Sequence, residues 1–129
     1  MALLVQKFGG TSVGSVERIQ AVAQRICLSR DEGHDLVVVV SAMGHTTDEL
    51  LGFANALNPS PPQREMDMLL ASGEQVSIAL LAMALQSLGV AAVSMTGPQV
   101  GITTESTHGR ARILGIRTDR IRPRLNEGQ

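Results

Sequence analysis

Apolar and polar positions along this chain change period several times, and each change marks an element. Leu3 to Phe8 is a short apolar run with the look of a strand. After it, Val16, Ile19, Val22, Ala23 and Ile26 recur with the spacing of one helix face. Ser15 has the chemistry of an N-cap for that helix, and Glu17 puts an acid in its first turn. Asp31-Glu32-Gly33-His34 is a turn, and Leu36 to Val40 is a continuous apolar run without alternation. Such a run predicts a strand buried on both faces, as in the middle of a parallel sheet. Thr46 to Leu57 predicts a second helix with Leu50, Leu51, Phe53, Ala54 and Leu57 apolar, closed by Asn58-Pro59-Ser60-Pro61-Pro62.

Arg64 to Leu70 predicts a short helix broken near Ser72-Gly73, followed by a longer one that stops at Gly89. That longer helix is apolar nearly all round, which predicts cover on most sides. Val90 to Met95 reads as a third buried strand and Thr96 to Gly101 as a loop. Ile102 to Ile116 reads as short extended pieces, and Asp119 to Leu125 as a weak helix with Pro123 inside it. Strands alternating with helices imply an α/β domain with a mainly parallel sheet and right-handed crossovers. The polar end, Asn126-Glu127-Gly128-Gln129, is the kind of turn that precedes another strand, so the sheet is expected to be truncated.

Composition narrows the classes. The length allows one domain with a real core. A net charge of −1 gives no sign of a nucleic-acid or membrane partner, and no stretch reads as a membrane span or signal peptide. Six arginines fall between Arg110 and Arg124, but no aromatics interleave with them, which fits a solvated surface. Cys27 is the only cysteine and falls on the apolar side of a helix, so it reads as a packed thiol in a reducing cytoplasm. His34, His45 and His108 lack metal-ligand spacing, and no protein metal site is expected.

The candidate chemistry begins at Lys7, the only lysine beside ten arginines, placed directly before Phe8-Gly9-Gly10 at the end of the first strand. An ammonium on a flexible stem can follow a moving phosphate in a way arginine's rigid fork cannot. Paired glycines let backbone N–H groups approach an anion, and the following helix start favours negative charge. The order is not that of a Walker A loop, where the lysine follows the glycines. Ligands in open parallel sheets sit beyond the carboxyl ends of the strands. Those ends here are Lys7 to Gly10, Ser41 to Gly44 with His45-Thr46-Thr47 beyond, and Thr96-Gly97. Ser41 and Thr47 offer hydroxyls to a small polar substrate, or simply finish a strand and cap a helix. Glu74 offers a carboxylate to a substrate ammonium, or belongs to a capping box, since Ser72-Gly73-Glu74-Gln75 has its spacing.

Four segments in register carry a resemblance: Val5 to Val13, Val40 to Gly44, Ser72 to Gln75 and Thr96 to Gln99. Together, and with Ala111 to Leu114, they resemble the N-terminal part of the catalytic domain of aspartate kinases, in the amino-acid kinase superfamily. The resemblance implies a three-layer α/β/α sandwich and ATP-dependent phosphorylation of the β-carboxylate of L-aspartate. The product would be 4-phospho-L-aspartate, for lysine, threonine and methionine synthesis. It implies that Lys7 contacts the transferring phosphoryl group, with Phe8, Gly9 and Gly10 at the nucleotide phosphates. Ser41 and Thr47 would lie near aspartate, and Glu74 would take its ammonium as a catalytic residue. ATP would bring Mg²⁺ with it, and the full-length protein would be a cytoplasmic homo-oligomer. The family's later Gly-Arg-Gly-Gly-Ser-Asp segment, base pocket and regulatory domains have no counterpart in residues 1–129. The expectation is therefore a substrate-side part that is inactive by itself. The alternatives are another amino-acid kinase, which would have less use for Glu74, and a non-catalytic remnant.

Overall fold

The computed structural model describes residues 1–129. β1 (Leu3–Phe8) and β2 (Asp35–Val40) lie parallel, with Leu3 opposite Asp35 and Phe8 opposite Val40. Parallel neighbours need a long crossover, which α1 (Val16–Asp31) supplies. Ser15 starts that helix as expected: its backbone is extended and its side-chain oxygen accepts the Arg18 N–H at 3.2 Å. Ile19, Val22, Ala23 and Ile26 form the buried stripe that the period predicts.

α2 (Thr46–Leu57) has the expected bounds, but the next region does not break. α3 runs as one 25-residue helix over Gln63–Ser87. Gly73 does not end a helix; it is buried where α3 meets Ala42, Thr46 and Leu50. Ser72 turns its hydroxyl back onto the Leu69 carbonyl, a bond that leaves the helix intact. Joined in this way, α3 is long and apolar enough by length and composition to cross a membrane, which the sequence read in two pieces does not reveal. It is also not covered on most sides. Gly73, Ser77, Leu81 and Leu85, one i, i+4 row, are buried, while Val76 and Met83 on other faces are exposed.

The core joins Val13, the α1 stripe, Leu81 and Leu85, with Phe8, Leu36, Val38 and Val40 packed against it. Side chains alternate along a strand, so Leu3, Val5 and Val39 point to the opposite face. They are 51%, 69% and 46% exposed. The helices therefore cover one face of β2, not the two that its unbroken apolar run predicts.

The expected third strand is also missing from the sheet, which holds β1 and β2 alone. No residue from Ala91 to Met95 enters a backbone hydrogen bond. A cavity of about 180 Å³ is lined by Leu36, Val38 and Val40 of β2 together with Val90 and Ala92. A ladder needs a neighbour at roughly 4.7–4.9 Å, and this segment has none hydrogen-bonded to it.

β3 (Ile102–Thr104) and β4 (Ile113–Ile116) pair antiparallel, matching the short extended pieces expected there. A 3-10 turn over Thr118–Arg120 leads into α4 (Arg122–Asn126). Pro123 falls in the first turn of α4, where its missing N–H has no helical partner to lose, so it does not disrupt the helix. Hydrogen bonds from Arg117 hold the Asp119 carboxyl below the usual aspartate range.

Candidate active site

β1 ends by presenting Lys7 and Phe8 in sequence. Phe8 packs against the core, while Lys7 stands opposite Val39 on the uncovered face of the sheet. Lys7 is exposed and forms none of the chain's ion pairs. The loop beyond it is a run of turns in which Ser12, Val13 and Gly14 donate to the carbonyls of Gly9, Gly10 and Thr11. None of the loop's hydrogen bonds is donated by Gly9, Gly10 or Thr11. Three successive N–H groups thus have no backbone acceptor in the turn that follows Lys7, and backbone donors gathered in a turn can form an anion-binding concavity.

The two glycines differ in what they do. A Cβ on Gly9 would meet nothing within 4 Å, so the space above it is open. A Cβ on Gly10 would lie 2.9 Å from the Ala42 carbonyl oxygen, so Gly10 is bare because the next loop sits on it.

That next loop follows β2. The Ser41 N–H donates to the Phe8 carbonyl at 3.1 Å, and the Gly44 N–H to the Gly10 carbonyl at 3.0 Å. The two strand ends are tied together by backbone, which sets Ser41 beside the Lys7 loop. The chain then enters α2 with the Thr46 N–H on the Met43 carbonyl at 2.9 Å. His45 occupies the N-cap position and no side chain caps the helix, so neither Thr46 nor Thr47 is spent on capping. Thr47 is exposed in the first turn.

Glu74 comes from the middle of α3, exposed and without an ion partner. Because α3 is continuous, Ser72 is not an N-cap, and the capping-box explanation of Ser72-Gly73-Glu74-Gln75 does not hold. Gly73, one residue earlier, is where α3 meets Ala42 and Thr46, so Glu74 follows the point at which α3 packs on the loop that carries Ser41 and Thr47. No backbone hydrogen bond ties the third strand end to the other two: Thr96 to Ile102 closes on itself, with the Val100 N–H on the Thr96 carbonyl and the Ile102 N–H on the Gly97 carbonyl.

Two residues at this junction have no obvious chemistry and the sequence does not single them out: Ala42, buried between Gly10 and Gly73, and Gly73 itself. The only signal for Gly73 is a glycine inside an apolar helical run, which also reads as a break. No three His, Cys, Asp or Glu side chains converge to hold a metal ion.

The arrangement has close relatives. Residues 2–129 match the amino acid kinase family. The aspartokinase of Geobacillus stearothermophilus is 62% identical over 128 residues, which are 99% of this chain and 31% of that protein. The crystal structure of aspartate kinase from Synechocystis superposes with a TM-score of 0.85 at 57% identity, covering 98% of this chain and 20% of that one. Aspartokinase III of E. coli, solved with aspartate and ADP, shares the fold with a TM-score of 0.81 at 23% identity over 99% of this chain and 39% of its own. The chain spans about a third of the length of the curated relatives it matches.

Proposed function

The chain belongs to the amino acid kinase family, and from that membership we propose that it supplies the substrate-side part of an ATP-dependent aspartate kinase. The observation that carries the reading is the edge where free N–H groups at Gly9, Gly10 and Thr11, an unpaired Lys7 and the Ser41–Thr47 loop meet. The similarity to aspartokinases runs through this whole segment, and the E. coli structure of the same fold holds aspartate and ADP.

The reaction forms a bond from a β-carboxylate oxygen of aspartate to the γ-phosphorus and breaks the bond to ADP, with no proton gained or lost by the carboxylate. Both reactants are anions, so catalysis reduces to positioning and charge neutralisation. Lys7 bridges the attacking carboxylate and the transferring phosphoryl group. The N–H groups of Gly9 to Thr11 hold phosphate oxygens. Glu74 takes the substrate ammonium, and the hydroxyls of Ser41 and Thr47 orient its polar groups. Mg²⁺ on the ATP phosphates adds positive charge when bound. The product, 4-phospho-L-aspartate, is an activated acid for lysine, threonine and methionine synthesis. The lone Cys27 thiol suits a reducing cytoplasm, and the whole protein is proposed to be a homo-oligomer.

A chimera tests the reading: residues 1–129 replace the matching segment of the Geobacillus stearothermophilus aspartokinase. Acyl phosphate is trapped as aspartyl hydroxamate. The chimera is expected to turn over with aspartate and ATP, while the 129-residue chain alone gives no more than background. A folded chimera that is silent with aspartate, or equally active with glutamate, would sink the assignment.

A further inference from the structure

α3 packs on the Ser41–Thr47 loop with a glycine at the contact. Gly73 is buried in the middle of the helix. A Cβ there would stand 3.2 Å from Thr46 Cγ2, 3.3 Å from Ala42 Cβ and 3.4 Å from Leu50 Cδ1. Leu50 Cδ1 is the end of a flexible side chain and can swing away. The Ala42 Cβ moves only with its backbone, and the Thr46 methyl moves only by a change of χ1 rotamer or with the first turn of α2. On its other side the Ala42 carbonyl faces Gly10, where an added Cβ would lie 2.9 Å from it.

We infer that Gly73 is a positioning residue that sets the separation between Glu74 and the loop bearing Ser41 and Thr47. The inference rests on the aspartate site proposed above. A methyl group at residue 73 requires Ala42 and Thr46 to give by a few tenths of an ångström, which shifts the first turn of α2, with Thr47, relative to α3, with Glu74. These are the two sides from which aspartate would be held. Helix propensity argues against glycine here, since alanine is the better helix former. Gly52 provides the contrast within the same chain. It too is helical, but a Cβ on it would meet nothing within 4 Å.

Loosening one ordinary hydrogen bond to a ligand weakens its binding roughly two- to tenfold. The test is an L-aspartate titration of the ¹⁵N-labelled 129-residue chain and of four variants, read by amide shifts. Gly73→Ala is expected to weaken aspartate binding by that factor and to move the Thr46 and Thr47 amide signals in the free chain. Thr46→Ser removes the nearest methyl and should bind like the parent. The double variant Gly73→Ala/Thr46→Ser should recover most of the affinity and of the shifts. Gly52→Ala should leave affinity unchanged while raising the melting temperature.

Gly73→Ala with parental affinity and shifts would overturn the inference, as would a loss that Thr46→Ser does not relieve. If Gly73→Ala does not fold, a folded double variant with recovered aspartate affinity supports the contact, and a double variant that also fails to fold overturns it. A parent chain that binds no aspartate removes the proposed site and the positioning role with it. That result is distinct from a parent that binds while Gly73→Ala makes no difference, which removes the positioning role alone.

Discussion

Lys7 and Glu74 carry the sharpest expectations at the scale of single residues. Lys7→Arg in the Geobacillus chimera keeps the charge but replaces a flexible ammonium with a planar fork. Turnover number is expected to fall more than about tenfold, with a smaller change in KM, because the interaction lost is one made to the transferring group. Near-normal turnover would make Lys7 a surface residue. Glu74→Gln is expected to raise KM for aspartate about ten- to a hundredfold, since a lost charge-assisted hydrogen bond costs roughly 1.5–3 kcal/mol. Its melting temperature should hardly move, because Glu74 is exposed in mid-helix and caps nothing. Lys7, Gly9 and Glu74 could be singled out from the sequence because the chemistry proposed for them is local and belongs to the residue type. Ala42 and Gly73 were not, because their part is to set a distance between elements, and a distance across the fold leaves no mark on residue type.

Elements were legible in proportion to how local their causes are. The Ser15 cap, the α1 stripe and the bounds of α2 follow from period and capping, and all three are present as expected. Ser15→Ala should therefore cost about 0.5–2 kcal/mol, read as a lower urea midpoint with unchanged slope. A variant with the parental midpoint would show that the 3.2 Å bond to Arg18 contributes nothing. Gly52→Ala should move the midpoint the other way by roughly 0.5–1 kcal/mol, since the site is helical and open. The misread elements depend on partners instead. A helical glycine signals a break or a close contact, and only the fold shows that Gly73 is the second. Val90 to Met95 has the composition of a strand, but a strand exists only where a neighbour offers a ladder, and none lies beside it.

At the scale of the whole molecule, the exposed side of the sheet is the feature with the clearest consequence. Leu3, Val5 and Val39 form an uncovered apolar face, and the outer edge of β2 has no strand paired to it. Open edges and contiguous apolar faces favour association. The isolated chain is therefore expected to bind an apolar dye such as ANS and to elute at a mass that rises with concentration, whereas the chimera should do neither. Val5→Thr separates the two states by sign. In the isolated chain Val5 is 69% exposed, so the change should leave the unfolding midpoint nearly unmoved and reduce association. In the chimera, if this face is covered, the same hydroxyl is buried without a partner and should cost roughly 1–3 kcal/mol. Equal effects in both backgrounds would mean that the longer protein leaves this face of the sheet as bare as the chain does alone.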